Sequence, residues 1–400
     1  MRSLRHLFAV MVLGLSAVVV GTSPAAAENV QASSAEDVQA SSAEGVQTIY
    51  LNAAGDDARD GATPATAVQS LVRVQQLVAA GPLDMDVEVR IHAGTYVAQG
   101  IVWQTYRPGH TISFMPDDYE YGEGIGGIAA RPVFQNRRAS GSGRYIDGPW
   151  FYACPGNPGQ PLTEGGTSGL RFYYLQVEYY AASAISLDGS AGSCGGGYQR
   201  TSAPGLPSAR GLDGNTVFGM LFTKIGNAYT GGSCDNPDFL RCGYGGIVLT
   251  ESSDNRIENN HFVDLRNSEN SYIHAIYVTH KSNRNRFVSN QVTGVSSEPI
   301  KVRDGSNFNT FEQNVFGANG FLRSSPSMVH YREELNEAAD ECASYHVRFA
   351  YNDLGTYLIG STDNLPAWLI TPDGATYKGA PVCPALPAGE ARLITAGNAH

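Results

Sequence analysis

The sequence predicts an all-β chain that folds as a right-handed parallel β-helix, a solenoid with an N-terminal capping helix. One observation is a template, N-x-[IF]-x-x-N, that occurs at residues 255–260, 285–290 and 309–314. A second is that each copy follows a short apolar run and returns after 30 residues and then after 24, with no helical period between copies. A short-strand unit of this period cannot bury its own apolar face, so it must stack on copies of itself.

Side chains alternate along a strand, which divides each apolar run into core positions and outward positions. The predicted core positions are Ile185, Leu187, Ile247, Leu249, Ile276, Val278, Ile300, Val302, Val329 and Tyr331. The outward positions line up in two columns when the coils stack. The first column holds Ser186, Val248, Tyr277, Lys301 and His330. The second column holds Asp188, Thr250, Thr279, Arg303 and Arg332.

Four basic residues of these columns are predicted to lie side by side on one outward face. We call them the basic square: Lys301, Arg303, His330 and Arg332. The chain has a formal charge of −11 and only four lysines, so such a cluster is unusual for its composition. It predicts a groove that binds an anionic, chain-like polymer. The alternative is a solvated strand face whose charges are balanced by nearby carboxylates.

The first 27 residues have the three parts of a secretory signal peptide. Arg2 and Arg5 form the charged region, residues 7–20 the apolar region, and three alanines at 25–27 the cleavage site. We therefore expect a secreted, extracellular protein in which residues 28–47, small, polar and internally repeated, form a disordered linker. Removing Arg2 and Arg5 takes the charge from −11 to −13, which argues against nucleic acid or a membrane as partner.

The folded part is predicted to comprise a β-helix over residues 48–355 and a C-terminal cap segment over 356–400. Apolar residues from Val68 to Val78 recur at helical spacing, and a strand follows at residues 87–91. A helix there would cover the open apolar end of the first coil. This arrangement resembles the N-terminal cap and first coil of secreted pectate-lyase-like β-helix proteins. Two long loops, 189–211 and 226–245, are predicted to form the sides of the groove.

Six cysteines remain in the exported chain, and an even number in a secreted protein predicts disulfides. They are Cys154, Cys194, Cys234, Cys242, Cys342 and Cys383. The sequence leaves the pairing open, although Cys234 with Cys242 would close a short loop and Cys342 with Cys383 would fasten the C-terminal segment. A zinc site is disfavoured because C-x-x-C spacing is absent.

The chemistry that suits a basic groove and a uronic-acid polymer is β-elimination. A cation must neutralise the carboxylate, a base must take the proton beside it, and an acid must assist the leaving oxygen. Arginine suits the first task because its guanidinium holds a carboxylate bidentately. Lys301, His330 and Tyr277 are the candidates for base or acid. The predicted substrate contacts are Thr279, His280, Lys281 and Asp188.

Residues 300–307, followed one coil later by 329–332, are similar in layout to alginate-lyase and chondroitinase-B-type β-helix lyases. That resemblance implies a catalytic lysine on one coil and an arginine on the next, at the positions of Arg303 and Arg332. Arg303 departs from the pattern because arginine is too basic to be a routine proton acceptor. The base is then expected at Lys301 or His330. The resemblance also implies a Ca²⁺ ion, for which Glu298 and Asp304 are the candidate ligands.

Three alternatives stay open from the sequence. A glycoside hydrolase would need a carboxylate pair among Asp188, Glu251, Asp304 and Glu333. A non-catalytic extracellular carbohydrate-binding β-helix would need neither base nor acid. The aromatic run at 172–180 fits either a core ladder or a sugar platform. The template asparagines are predicted to form a structural ladder at the coil corners.

Overall fold

The computed structural model describes residues 45–136, 148–155, 168–190, 212–231, 242–268, 272–319, 329–332, 344–354, 368–370 and 393–399, with backbone alone for 329–332 and 368–370. These residues belong to one compact unit, Ala40–His400. The predicted signal peptide, nearly all of the predicted linker and most of the predicted C-terminal cap lie outside the described residues. No described helix is long and apolar enough to cross a membrane.

In the part of the chain that the structure describes, three parallel sheets form the fold, and between residues 86 and 332 the chain visits them in turn. Sheet A contains β1 (Val46–Leu51), β2 (Asp86–Ile91), β5 (Ile112–Pro116), β8 (Leu170–Tyr173), β11 (Thr216–Phe218), β14 (Arg256–Glu258), β17 (Arg286–Val288), β20 (Thr310–Glu312), β23 (Val347–Ala350) and β25 (Leu393–Ala396). Sheet B contains β3 (Thr95–Val97), β6 (Val133–Gln135), β9 (Gln176–Glu178), β12 (Leu221–Thr223), β15 (His261–Val263), β18 (Gln291–Thr293) and β21 (Val315–Phe316). Sheet C contains β4 (Ile101–Trp103), β7 (Phe151–Ala153), β10 (Ser183–Asp188), β13 (Gly245–Thr250), β16 (His274–Thr279), β19 (Ile300–Arg303), β22 (Val329–Arg332) and β24 (Trp368–Ile370).

The template residues occupy equivalent places on successive coils, as the sequence predicts. Ile257 pairs with Phe287, and Phe287 pairs with Phe311, all in parallel register. Ile276 likewise pairs with Ile300. The strands β24 and β25 pair with β22 and β23, so the sheets continue past residue 355 into the segment predicted as a cap.

The core follows the predicted alternation in sheet C. The inward residues of β10, β13, β16 and β19 are at most 1% exposed: Ile185, Leu187, Ile247, Leu249, Ile276, Val278, Ile300 and Val302. Aromatic rings stack in the same way from coil to coil. The rings of Phe287 and Phe311 lie 4.5 Å apart and nearly parallel. Stacking of this kind buries each coil's apolar face against its neighbours, which is why a single coil would not be stable.

Asparagine ladders run along two corners of the solenoid and confirm the predicted structural role. One contains Asn215, Asn255, Asn285 and Asn309. The other contains Asn260, Asn290, Asn314, Asn352 and Asn398. In each step a side-chain amide donates to the amide oxygen of the next coil, and a backbone N–H shares that oxygen. The ladders therefore satisfy buried backbone donors at turns that no strand partner can reach.

A capping helix, α1 (Leu71–Ala80), covers the first coil. Ser70 caps its start by accepting a hydrogen bond from the backbone N–H of Arg73. Leu71, Val74 and Val78 are its buried residues, whereas Val72 is 54% exposed. The predicted helix begins too early, because Val68 pairs with Leu51 instead of joining the helix. The other helices are short: α2 (Asn227–Thr230) and two 3-10 turns, Pro64–Thr66 and Gly124–Gly127.

The aromatic run after residue 171 is largely interior. Phe172 lies in the main core, and Tyr173 and Tyr174 are 4% and 6% exposed in a second cluster on the outside of sheet A. Tyr119 packs on Tyr173 with ring centroids 5.6 Å apart. These contacts favour the core ladder over a sugar platform at this place.

The two described cysteines, Cys154 and Cys242, are buried, and neither is a free thiol. The other four cysteines lie outside the described residues. The number and the pairing of disulfides therefore stay predictions.

Candidate functional site

The outward face of sheet C carries the two predicted columns. Backbone register pairs the first column in unbroken order from Ser186 through Val248, Tyr277 and Lys301 to His330. In the second column Asp188, Thr250 and Thr279 are paired in register. Arg303 is paired with Arg332 in the same way. The side chains of His330 and Arg332 are outside what the structure describes, so their place in the basic square stays a prediction.

Lys301 differs from the expectation of an open, cation-crowded position. The residue is 8% exposed, and its Nζ lies 3.5 Å from Oε1 of Glu298, three residues earlier in the chain. Glu298 is itself 2% exposed and accepts a 2.5 Å hydrogen bond from the hydroxyl of Ser297. A buried carboxylate beside the ammonium favours its charged form, which is the opposite of what a proton acceptor requires. The structure therefore does not favour Lys301 as the base.

Arg303 is joined to Tyr277 on the neighbouring coil. One guanidinium nitrogen of Arg303 donates to the Tyr277 hydroxyl at 3.0 Å, and both side chains are half-buried. His274 supports Tyr277 from the same strand, with ring centroids 5.3 Å apart. The Nδ1 of His274 is in turn 2.7 Å from the backbone oxygen of Glu298. Arg303 and Tyr277 are thus held by coil stacking and by a buried ring, not by a loop.

His280 and Asp304 form a second pair where these two strands end. The Nδ1 of His280 lies 2.6 Å from Oδ2 of Asp304, and their side chains are 16% and 1% exposed. Both residues have positive φ, 51° and 50°, in the left-handed region, as does Glu251 at the turn of the preceding coil. A carboxylate on Nδ1 fixes the orientation of the ring.

The other predicted substrate contacts are buried. Thr279 is 2% exposed, and its hydroxyl makes no hydrogen bond. Lys281 is 3% exposed. Asp188 is 7% exposed and accepts hydrogen bonds from the Tyr152 hydroxyl at 2.6 Å and from the backbone N–H of Ser190 at 3.0 Å. Of the four predicted contacts, His280 alone has a partly accessible side chain.

The candidate calcium ligands are engaged by other groups. Glu298 is bonded to Lys301 and Ser297, and Asp304 to His280. Across the described ranges no group of three or more His, Cys, Asp or Glu side chains could hold a metal. These residues do not fit a calcium site, so no step is derived through a metal.

Two tyrosines at this edge of sheet C were missed by the sequence reasoning. Tyr244 directly precedes β13, and Tyr272 lies two residues before β16. Their rings are 6.2 Å apart with an interplanar angle of 9°, and Tyr272 is 51% exposed. A sequence signal for this pair was available. Each of two successive apolar runs follows a tyrosine, and the template already placed those two runs on neighbouring coils.

The comparisons with known proteins agree with this architecture. The family described as “Right handed beta helix region” matches residues 224–316. The fold is a right-handed parallel β-helix. No curated protein sequence is similar enough to count as a match.

Solved structures also match at low identity, and they include three lyases. Pectate lyase Pel9A is 11% identical, with a TM-score of 0.48 over 77% of this chain and 62% of that one. A rhamnogalacturonan lyase is 14% identical, with a TM-score of 0.38 over 80% of this chain and 65% of that one. An alginate lyase from Paenibacillus sp. str. FPU-7 is 14% identical, with a TM-score of 0.37 over 78% and 76%. This chain thus spans less than two thirds of the first two, and any statement on chemistry rests on its own residues.

Proposed function

We propose that this β-helix is a secreted polysaccharide lyase that cleaves a uronic-acid-containing polymer by β-elimination. The observation that carries the proposal is the 3.0 Å hydrogen bond from Arg303 to the Tyr277 hydroxyl on the outward face of sheet C. It joins a fixed cation to a group that can donate a proton. Arg332, in register with Arg303, would add a second cation at the same place. The signal peptide predicted over residues 1–27 supports an extracellular polymer as substrate.

Arg303 is suited to hold the sugar carboxylate. A proton on the carbon that bears a carboxylate is only weakly acidic, because its removal adds a second negative charge to the same group. A guanidinium bound to the carboxylate stabilises that charge as it forms, and it stays protonated throughout. Because stacking fixes Arg303 beside Tyr277, little reorganisation is needed when the charge develops.

Tyr277 is suited to be the acid. Its hydroxyl oxygen accepts from Arg303, so its own O–H remains available as a donor. In the elimination, a base takes the proton beside the carboxylate and the freed electron pair becomes a carbon–carbon double bond. The glycosidic C–O bond breaks, and the leaving oxygen takes the proton of Tyr277. The phenolate so formed lies against the guanidinium, which stabilises it.

His280 is the described residue best suited to be the base. Asp304 holds its Nδ1, as the orienting group of a general base does. Lys301 is less suited because Glu298 is beside its ammonium. The role of His330 stays a prediction. A hydrolase would instead use two carboxylates across the bond, but Asp188 and Asp304 are already bonded to Tyr152 and His280.

The test is a panel of alginate, pectate, hyaluronan, chondroitin/dermatan and glucuronan. Elimination creates an unsaturated uronate that absorbs in the ultraviolet, whereas hydrolysis yields reducing ends without that absorbance. A non-catalytic binding protein gives neither signal. We expect ultraviolet absorbance with at least one polymer of the panel.

The residue assignment has its own test. Arg303→Ala should lower turnover by about 10²-fold or more, as loss of one charge-stabilising donor does. Arg286→Ala is the matched control, since Arg286 is exposed on sheet A and has no ion pair among the described residues. Equal turnover of Arg303→Ala and Arg286→Ala would contradict the assignment.

A further inference from the structure

We infer that Tyr272, stacked on Tyr244, is a sugar-binding platform that extends the groove beyond the reacting bond. Its occupant would be a pyranose ring of the same polysaccharide whose carboxylate Arg303 holds. The choice of a uronate polymer rests on the proposed function. The platform itself rests on the geometry of the two tyrosines, so each can fail without the other.

The platform is built on the ladder of sheet C. The backbone N–H of Tyr244 donates to the oxygen of Ala182 at 2.7 Å, and its own oxygen accepts from the N–H of His274 at 3.1 Å. Tyr244 is half-buried and supports one face of Tyr272, whose side chain is far more exposed. The two rings are parallel, with centroids 6.2 Å apart, so the exposed part of the Tyr272 ring is a flat surface that Tyr244 supports. A ring fixed in this way loses little conformational entropy when a ligand binds.

The platform adjoins the candidate site. The backbone oxygen of Tyr244 accepts from His274, and the ring of His274 lies 5.3 Å from the ring of Tyr277. Tyr272 precedes His274 by two residues, at the start of the same strand. Tyr277 is the residue that accepts the hydrogen bond of Arg303. The exposed ring is therefore continuous with the face on which the reaction is proposed.

The chemistry of the ring matches a sugar. A tyrosine presents an apolar face with a hydroxyl at its edge, and a pyranose presents C–H groups on its face with hydroxyls around its rim. Stacking the two removes apolar surface from water and leaves the hydroxyls solvated. Single exposed aromatic residues are common on proteins. Tyr272 differs from them because a second tyrosine lies parallel to it, at the edge of the sheet that carries Arg303.

The test compares Tyr272→Ala, Tyr272→Trp and the wild type by affinity electrophoresis in gels that contain alginate, pectate or glucuronan. Tyr351→Ala is the matched control, because Tyr351 is 58% exposed at the end of a sheet A strand. We expect Tyr272→Ala to weaken the apparent affinity about tenfold, Tyr272→Trp to keep it, and Tyr351→Ala to leave it unchanged. With a cleaved polymer, Tyr272→Ala should raise KM and leave kcat within about twofold.

Five outcomes decide the inference. Wild-type affinity of Tyr272→Ala, or equal losses in Tyr272→Ala and Tyr351→Ala, would overturn it. A wild-type protein that none of the three polymers retards would overturn it as well. A dimer of the wild type that Tyr272→Ala converts to a monomer would assign the ring to a second copy of the chain instead. A selective loss of binding in Tyr272→Ala without any cleavage by the wild type would keep the platform and remove the lyase proposal.

Discussion

Replacing Asp213 by asparagine should make the protein more stable at neutral and alkaline pH. Asp213 lies at a coil corner, 8% exposed, where its Oδ1 accepts a 2.6 Å hydrogen bond from the backbone N–H of Ser253. Burial raises the pKa of its carboxyl to about 6, and the neighbouring charge of Asp254 adds to the rise while Arg284 opposes it. An asparagine at this position retains a side-chain oxygen that can accept from the backbone N–H of Ser253, and it removes the negative charge.

The magnitude follows from the two pKa values. The folded pKa of about 6 is above the ordinary value of 3.8, so the folded state binds the proton more tightly than the unfolded chain does. The resulting stability is fully present below pH 3.8 and is lost as pH rises through about 6. A rise of about two units corresponds to about 3 kcal/mol at most. We expect Asp213→Asn to gain about 1–3 kcal/mol at pH 8 and nothing at pH 3.5.

Thermal unfolding at a series of pH values is the assay. The gain at pH 8 should appear as an increase of roughly 2–6 °C in the Tm of Asp213→Asn over the wild type. Asp84→Asn is the control, because Asp84 is exposed and has no ion pair or hydrogen bond among the described residues. A gain that is the same at pH 4 as at pH 8, or one that Asp84→Asn shares, would refute the reasoning.

Three other predictions concern the scaffold. Asn290→Ala should lower the free energy of unfolding by about 2–4 kcal/mol, because the backbone N–H and the side-chain amide of Asn260 lose their acceptor. Denaturant titration measures the change, and a loss below about 0.5 kcal/mol would contradict the ladder's role. Gly226→Ala should destabilise by more than about 2 kcal/mol, since φ is 109° and a Cβ would lie 2.2 Å from the oxygen of Arg266, whereas Gly126→Ala, with open space around it, should not. The mature folded protein should show no reactive thiol without reductant, and a titration that finds two or more would exclude the disulfide framework.

The sheet C columns could be predicted because stacking leaves little freedom. Once Ile276 is placed against Ile300, alternation sends Tyr277 and Lys301 outward as neighbours. The same argument holds for the corner asparagines, because a template that recurs at each turn meets its copy on the next coil. Periodicity alone was enough for these positions, with no information about the loops.

The surroundings of those columns could not be predicted in the same way. The charge of Lys301 is balanced by Glu298, which lies in the aperiodic segment before β19. The alternation within the strands therefore could not predict this contact. His280 lies beside Asp304 at the same 24-residue offset as Ile276 and Ile300, but both follow the ends of their strands, where alternation does not define the direction of a side chain. Tyr272 and Tyr244 lie outside the strands, where alternation assigns no direction.

The position of the candidate site reflects a difference between two corners held by ladders and one corner where the connections vary. Asparagines hold the corner between sheets A and B and the corner between sheets C and A to hydrogen-bonding distance. The connections from sheet B to sheet C vary in length without altering the strands that they join. Tyr277 and Arg303 are 26 residues apart in sequence, yet their side-chain atoms are 3.0 Å apart because each belongs to a strand of a rigid stack. Loop changes can therefore alter which polymer reaches the groove, while the spacing of the reacting groups is preserved by the coil.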